Sequence, residues 1–184
     1  MTTPPLEVRL FATEPVVCRE GEALSFSRRD ALHLLIYLLV EQQDVYDRSS
    51  LVSLFYEKGG TTEAKRYPRF RGVVHDLRKV LGDGFVPLEA KADAKKLVFN
   101  HAAVWLDTAE FTRRAQALLN IGEQSSNPAF AQESEQTLAL YRDHFLRGYD
   151  LGGSDEVLFW QEAQRAQLAE LRHRLLEQVV RYDI

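Results

Sequence analysis

Apolar residues recur every three or four positions through Lys65–Leu81, a stretch that also holds six Lys or Arg residues and one acid, Asp76. This spacing places the apolar residues on one face of a helix and leaves the other face basic. The members of the apolar stripe are Phe70, Val73, Val74, Leu77 and Leu81. Because proline is tolerated in a first turn, we expect regular helix from Pro68, with 62–67 as a looser approach. Gly82 is expected to end the helix.

The residues before this basic helix predict a strand hairpin followed by two further helices. The predicted elements are strands at 6–11, 16–18 and 23–26 and helices at 30–43 and 49–56. Glu20-Gly21-Glu22 is a hairpin turn signal between the second and third strands. Ser27 is placed to cap the first helix, and Asp47 or Ser49 is placed to open the second. We expect the leucine-rich first helix to lie in the core.

Two strands joined by a polar turn are predicted after the basic helix. The strands lie at 85–89 and 96–100, the turn at 90–94, and the lysines in or beside it are Lys91, Lys95 and Lys96. Two helices with a short connection, the second of them basic, are typical of a helix-turn-helix. A terminal hairpin with lysines at its tip is typical of a wing. Residues 1–105 are therefore predicted to form a winged helix-turn-helix domain.

After Leu106 the pattern changes to helices only. The predicted helices lie at 108–121, 129–146 and 155–181, with Asp107 and Ser154 as expected caps of the first and last. Three helices with short links are typical of tetratricopeptide-like stacks, although no internal repeat is visible. The sequence therefore predicts an α+β protein whose second domain, over 106–184, is all-α.

Charge is distributed unevenly between these two parts. The net charge is −4, but residues 1–106 hold 15 Lys or Arg against 14 Asp or Glu, whereas 107–184 hold 8 against 13. A local basic surface matters more to DNA than the total charge, since phosphates act over roughly 10 Å at moderate salt. The acidic total therefore leaves a nucleic-acid partner open for the first domain.

Composition predicts a soluble cytoplasmic protein without enzymatic chemistry. The sequence has no run of about 18 apolar residues, so we expect no membrane span. The N-terminal residues lack the pattern of a signal peptide. Cys18 is the only cysteine, which excludes an internal disulfide and a multi-cysteine zinc site. The five histidines show no ligand spacing, and Gly82-Asp83-Gly84 lacks the Lys of a phosphate loop. We expect no catalytic residue, metal or cofactor.

Six stretches carry a family resemblance, in order, over nearly the whole chain. They are Arg28–Leu38, Arg48–Tyr56, Leu77–Gly82, Trp105–Phe111, Leu138–Arg142 and Trp160–Leu171. Each is weak alone, but the ordered set resembles the bacterial transcriptional activators of the Streptomyces antibiotic regulatory protein type. That family joins a response-regulator-like winged helix to a helical bacterial transcriptional activator domain. The resemblance implies binding to direct-repeat promoter DNA in the major groove and recruitment of RNA polymerase.

Three features depart from that family. Its recognition helices tend to be rich in Arg and Asn through their first two turns, whereas Pro68 and Gly72 interrupt this helix. Asp76 stands where Arg is common in the family. The helical domain is also short, with about three helices where the family usually has several more. We therefore expect a fragment of such an activator or a naturally reduced member.

The outer face of the basic helix follows from its apolar stripe. At 100° per residue, Gly72, His75 and Lys79 point most directly away from the core, with Asp76 close to them. Cations on the flanks suit phosphates, whereas the centre suits base edges. The DNA-binding candidates are Lys65, Arg66, Arg69, Arg71, His75, Arg78, Lys79, Lys91, Lys95 and Lys96. His75, Lys79 and Arg69 are the candidates for base readout. Asp76 offers an acceptor to a cytosine amino group, but beside phosphates we expect it to be a repulsive element.

Two hypotheses follow for the function. In the first, the chain is a sequence-specific regulator, an activator, whose first domain binds promoter DNA and whose C-terminal helices mediate self-association or contact a partner. In the alternative, it is a winged-helix and helical-repeat interaction module that does not bind DNA, which the acidic total, Pro68, Gly72 and Asp76 favour. An apolar stripe in the last helix serves either a homodimer or packing inside the domain. Its members are Leu168, Leu171, Leu175 and Val179.

Overall fold

The chain folds into an α+β arrangement of helices and two small sheets. The computed structural model describes residues 6–57, 62–82, 85, 95–121 and 128–182. Within these residues the strands are β1 (Leu6–Arg9), β2 (Val16–Arg19), β3 (Glu22–Ala23), β4 (Val45–Asp47), β5 (Lys96–Val98) and β6 (Val104–Leu106). The helices are α1 (Arg29–Glu41), α2 (Arg48–Tyr56), α3 (Glu63–Leu81), α4 (Asp107–Ile121), α5 (Pro128–Leu138) and α6 (Asp155–Tyr182). The predicted α+β class is confirmed.

Contacts divide the chain into two compact units. The first takes the described residues of 1–7, 17–104 and 150–161, and the second takes those of 8–16, 105–149 and 162–184. The larger sheet has the strand order β3-β2-β1-β6, and β4 pairs with β5 in a separate sheet. Whether 1–105 and 106–184 fold as independent domains stays a prediction.

The predicted hairpin that precedes α1 is confirmed, but its second strand covers only Glu22–Ala23, whereas the sequence predicted a strand over 23–26. Cys18 pairs with Ala23 in antiparallel register. The connecting residues Glu20 and Gly21 both have positive φ, at 52° and 86°. Two such residues form the tight turn whose twist matches that of the paired strands. The turn thus returns the chain directly toward the start of α1.

Helices α1, α2 and α3 build the core of the first unit. α3 packs against both α1 and α2. The predicted apolar stripe of α3 is confirmed, because each of its five side chains is at most 5% exposed. Burying a side chain of this size stabilises a fold by about 1.5–3 kcal/mol. The inner face of α3 therefore fixes the helix and leaves its other face at the surface.

The starts of α3 and α1 differ from the sequence-based expectations. α3 begins at Glu63, ahead of Pro68, which lies inside the helix. Pro68 has no backbone N–H to donate to the carbonyl of Ala64, and both residues are at the exposed surface of the helix. α1 begins at Arg29 after an extended Arg28. Ser27 does not cap α1 as predicted, since its hydroxyl donates to another helix.

Strand β4 was missed by the sequence analysis. It pairs antiparallel with β5, so that Tyr46 lies opposite Leu97. The buried Tyr46 hydroxyl donates to the carbonyl of Leu38 at 2.7 Å and accepts from the backbone N–H of Gln43 at 2.9 Å. Three residues are too few for an alternating pattern to be recognised, and pairing with the distant strand β5 defines β4 instead. Asp47 follows as the predicted cap of α2 and accepts from Ser50 N at 3.0 Å.

The predicted wing is described only in part. Its second strand, predicted at 96–100, is confirmed as β5 over Lys96–Val98. Phe85 is buried, and its carbonyl accepts from the backbone N–H of Asn100 at 3.0 Å. The rest of the predicted strand at 85–89 and the turn at 90–94 lie outside the described residues.

In the second unit, α4 packs against α5, and α5 is shorter than predicted. The sequence predicted a helix over 129–146, but α5 ends at Leu138. Beyond it the N–H of Leu146 donates to the carbonyl of Leu10 at 2.9 Å, and Leu146 has a φ of 47°. Arg165 donates to the carbonyls of Phe145 and Leu146. These long-range bonds hold the segment out of the helix that its local pattern favours.

The apolar stripe of α6 is used for packing inside the second unit. Leu168, Leu171 and Leu175 are 6%, 8% and 0% exposed, and the fourth member, Val179, is half-buried. Of the two interpretations of this stripe, packing is therefore confirmed, and a homodimer through the C-terminal helices stays a prediction. Ser154 directly precedes α6 as predicted, but its hydroxyl forms no hydrogen bond within the described part of the chain.

Candidate nucleic-acid interface

One row of polar side chains follows the exposed face of α3. Arg71, His75 and Lys79 are spaced four residues apart, so they lie along one line of the helix surface. All three are exposed, and no described residue forms a hydrogen bond or ion pair with them. At 1.5 Å per residue the row is about 12 Å long. An α-helix, about 10–12 Å in diameter with its side chains, fits the major groove of B-DNA, which is about 12 Å wide. We call these three residues the α3 row.

Arg69 is exposed in part but anchored to neighbouring helices. Its Nε and Nη2 donate to one carboxylate oxygen of Asp30, at 2.9 and 2.6 Å. Its guanidinium lies 5.0 Å from the centroid of the Tyr56 ring. Tyr56 in turn packs edge-on against the buried ring of Phe70, with 6.4 Å between centroids. Arg69 therefore joins α3 to α1 and α2, which weakens its case as a base-reading residue.

The remaining predicted cations fall into two groups. Arg66 and Arg78 are half-buried, and Arg66 donates to the carbonyl of Glu57 at 3.4 Å. Lys65, Lys95 and Lys96 are exposed, the first near the start of α3 and the others where β5 begins. Lys91 lies outside the described residues. Among the predicted cations, the side chains of Lys65, Arg71, Lys79 and Lys96 are thus exposed and have no partner in the described part of the chain.

Asp76 does not lie on the outer face of α3, contrary to the sequence-based expectation. It is 6% exposed. Its carboxylate accepts from the hydroxyl of Ser27 and from the backbone N–H of Arg28, the latter at 3.2 Å. Both donors precede the first turn of α1, where the helix end carries partial positive charge that favours a carboxylate. Asp76 is therefore a connection between α3 and α1, and it does not stand among the exposed cations.

Gly72, which interrupts the basic pattern in the sequence, is covered by an arginine. A Cβ built on Gly72 would lie 3.3 Å from Nη1 and 3.4 Å from Cζ of Arg28. The missing side chain thus lets the guanidinium lie against the helix. Arg28 is exposed and forms no ion pair with a described carboxylate. Sequence reasoning missed Arg28 because it precedes a different helix, and no local spacing connects it to Gly72.

The pKa of the Tyr56 hydroxyl is shifted by burial and by the charges of three neighbouring side chains. Burial raises the pKa of the Tyr56 hydroxyl above its usual value, and the carboxylate of Asp30 raises it further. The guanidinium groups of Arg69 and Arg28 act in the opposite direction, because positive charge favours the phenolate. Arg28 and Arg69 therefore lie close enough to the same ring to influence its ionisation.

A polar groove of about 530 Å³ lies elsewhere in the first unit. Its lining residues are Tyr37, Gln43, Tyr46, Asp47, Ser49, Ser50, Leu51, Ser53, Leu54 and Glu156. Hydrogen bonds from Ser49 and from the backbone of Ser50 lower the pKa of Asp47. Since two of these side chains are acids and none is a cation, this groove is unsuited to a phosphate.

The described helices include none that is long and apolar enough to cross a membrane. Across the same residues, no three His, Cys, Asp or Glu side chains are grouped so as to hold a metal ion. Protein-family models give no match to the chain, and no curated protein shows significant similarity to it.

Proposed function

We propose that the chain is a cytoplasmic, sequence-specific DNA-binding transcriptional regulator, an activator. In this proposal α2 and α3 form the helix-turn-helix, the segment after α3 forms the wing, and α3 enters the major groove of promoter DNA. The α3 row then meets base edges and phosphates. The second unit acts as a tetratricopeptide-like activator domain that contacts RNA polymerase, as the family resemblance implies.

The observation that carries the proposal is the α3 row. Arg71, His75 and Lys79 share one line of a helix whose opposite face is buried, and no described residue neutralises them. An exposed cation whose charge is unmet inside the fold gains most from a phosphate, because each contact releases condensed counterions. Arginine and lysine in the row can also donate to the acceptors of guanine in the major groove.

Two features that favoured the alternative are weakened by their surroundings. Asp76, which the sequence placed among the cations, is buried and hydrogen-bonded at the start of α1. Gly72 is covered by the guanidinium of Arg28, so this part of the α3 surface is cationic. Neither residue therefore argues against DNA as strongly as it does in the sequence alone.

The experiment that tests the proposal is selection of bound duplexes from a random library, followed by titration of the enriched sequence at several salt concentrations. Affinity is expected to fall steeply between roughly 50 and 200 mM salt, since phosphate contacts dominate the binding. Arg71→Ala and Lys79→Ala should each weaken binding. Arg174→Ala is the matched control, because Arg174 is an exposed helical cation of the second unit.

No enrichment and no salt-dependent binding would overturn the proposal in favour of the interaction module that does not bind DNA. That alternative gains some support from α6, where the adjacent side chains Leu158 and Phe159 are 41% and 75% exposed. Exposed apolar side chains of this kind favour a protein partner when they form a larger patch. Binding that is indifferent to both α3 substitutions would also count against α3 as the recognition helix.

A further inference from the structure

We infer that Arg28 is part of the DNA-contacting surface and binds a phosphate beside the α3 row, although it belongs to the start of α1. The inference rests on the proposed function and adds to it a contact from outside the helix-turn-helix. Three observations about Arg28 support it. Its backbone N–H is bonded to Asp76, its guanidinium lies against Gly72, and its charge has no carboxylate partner among the described residues.

The backbone of Arg28 is fixed to α3. Its N–H donates to the carboxylate of Asp76 at 3.2 Å, and the same carboxylate accepts from the hydroxyl of the preceding Ser27. Asp76 is itself buried, at 6% exposure. The base of the Arg28 side chain is therefore placed at a set position along α3, at the turn that contains Asp76.

From that point the side chain extends along α3 to the preceding turn. Gly72 and Asp76 are four residues apart and so lie on the same line of the helix. The guanidinium reaches Gly72, where a Cβ would approach Nη1 to 3.3 Å, closer than most Cβ contacts in proteins. Gly72 and His75 are neighbours at a spacing of three residues. The guanidinium thus lies next to the α3 row and adds a further cation to it.

The charge of Arg28 is unmet within the described part of the chain. Arg69, which lies near the same tyrosine, is paired with Asp30. Arg28 has no comparable carboxylate, and its side chain is exposed. A planar guanidinium with several free N–H donors matches the oxygens of a phosphate.

Glycine at position 72 is explained by the same geometry. An alanine would favour a helix interior by about 1 kcal/mol, so Gly72 reduces the intrinsic stability of α3. Its φ is not in the left-handed region, so the backbone does not require glycine there. A Cβ at this position would require the Arg28 guanidinium to move by a few tenths of an ångström. Gly72 therefore acts as a positioning residue for Arg28.

The test is a double-mutant cycle of Arg28→Ala, Gly72→Ala and the combined variant, with a fluorescein-labelled duplex of mixed sequence as the probe. Arg28→Ala keeps the backbone N–H that bonds to Asp76, and Gly72→Ala adds helix propensity, so both variants are expected to fold. Arg28→Ala should weaken binding roughly 3- to 10-fold at 0.1 M salt and reduce the log–log salt slope by about 1, as one lost phosphate contact does. Gly72→Ala should weaken binding in the wild-type background and leave the affinity of Arg28→Ala unchanged.

The outcomes separate this inference from the proposed function. If the wild type binds, Lys79→Ala weakens binding, and Arg28→Ala matches the Arg174→Ala control in affinity and slope, Arg28 is only packing and the inference alone is overturned. If Gly72→Ala reduced DNA affinity equally with and without Arg28, the role of Gly72 in positioning the guanidinium would be overturned. Absence of salt-dependent binding by the wild type would overturn both the inference and the proposed function.

Discussion

Trp160 donates its indole Nε1–H to the carboxylate of Glu41 at 2.6 Å, joining the second turn of α6 to the last turn of α1. The indole also packs against the ring of Tyr37, with 5.0 Å between centroids. Nearby, the backbone N–H of Ser154 donates to the carbonyl of Leu54 at 2.9 Å. The segment 150–161 is thus held in the first unit by specific bonds as well as by burial.

Replacing Trp160 is therefore expected to destabilise the first unit. Trp160→Phe removes the donor to Glu41 and should lower the free energy of unfolding by about 1.5–3 kcal/mol, the range for a hydrogen bond to a charged group. Phe159→Ala is the neighbouring control and should change stability by less than about 0.5 kcal/mol, since Phe159 is 75% exposed. Urea denaturation followed by circular dichroism measures both. Equal effects of the two substitutions would contradict the assigned hydrogen bond.

Arg69 and Arg71 are expected to separate stability from DNA binding. Arg69→Ala removes the ion pair with Asp30, worth about 0.2–1 kcal/mol at an exposed site, and the cation–π contact with Tyr56, worth about 0.5–1 kcal/mol. Arg71→Ala should leave the free energy of unfolding within about 0.5 kcal/mol of wild type, because Arg71 has no partner in the described chain. Thermal denaturation and DNA titration of both variants are the measurements. A stability loss from Arg71→Ala that matched that from Arg69→Ala would contradict this division.

Asp76 is expected to behave as a structural acceptor. Asp76→Ala leaves the Ser27 hydroxyl and the Arg28 N–H without their acceptor, so the free energy of unfolding should fall by about 1–3 kcal/mol. Asp76→Asn keeps a carbonyl acceptor and should lose less. A surface acid that merely repelled phosphates would instead give tighter DNA binding and unchanged stability on substitution. Urea denaturation together with DNA titration therefore distinguishes the buried position of Asp76 from the position expected from sequence.

Periodicity predicted those parts of the fold that local chemistry determines. The stripe from Phe70 to Leu81 and the turn at Glu20 and Gly21 follow directly from helical spacing and from backbone preference. β4 and the early end of α5 were missed because they depend on partners far away in the chain. Tyr46 finds its partner strand across about fifty residues, and Leu146 bonds to Leu10. No short window of sequence contains such bonds.

The candidate site was predicted by composition but not by arrangement. Helical spacing correctly put Arg71, His75 and Lys79 at the surface. It put Asp76 there too, because a helical wheel does not include the start of α1, which covers that edge of α3. For the same reason helical spacing did not identify Arg28, whose guanidinium reaches α3 only in the folded chain. Cations contributed by neighbouring helices require a structure to be found.

Asp107 is expected to be important for the stability of the second unit. Its carboxylate accepts from the backbone N–H groups of Leu10 and Phe11 at 2.9 Å and of Thr108 at 2.8 Å, and it is 4% exposed. Asp107→Ala leaves these buried donors unpaired and should lower the free energy of unfolding by about 3 kcal/mol. The control Glu135→Ala removes an exposed acid from α5 and should change stability by less than about 0.5 kcal/mol. Urea denaturation at pH 7 that gave similar values for both would contradict the role of Asp107.

His33 and Asp107 are expected to oppose each other in the pH dependence of stability. Burial, followed by the charge of Arg29, lowers the pKa of His33 from 6.5 to about 4. The unfolded chain therefore binds the proton first, and His33 reduces stability as pH falls from 6.5 to 4. Burial raises the pKa of Asp107 from 3.8 to about 6, although hydrogen bonds from Leu10 and Phe11 act against the rise. The folded chain then binds the proton first, so Asp107 increases stability as pH falls from 6 to 3.8.

Because the two pKa shifts have opposite and nearly equal effects on the free energy of unfolding, single substitutions should reveal the contribution of each group. At 1.36 kcal/mol per pKa unit, each contributes on the order of 3 kcal/mol across this window. Relative to wild type, His33→Gln should gain about that much stability between pH 6.5 and 4, and Asp107→Asn should lose it between pH 6 and 4. Urea denaturation of the three proteins at intervals of half a pH unit gives the differences in the free energy of unfolding. Other carboxylates contribute equally to all three proteins and cancel; an example is Glu110, whose pKa is lowered to about 2 by Arg113. Differences from wild type that stayed constant with pH would show that neither group titrates differently in the folded and unfolded chains.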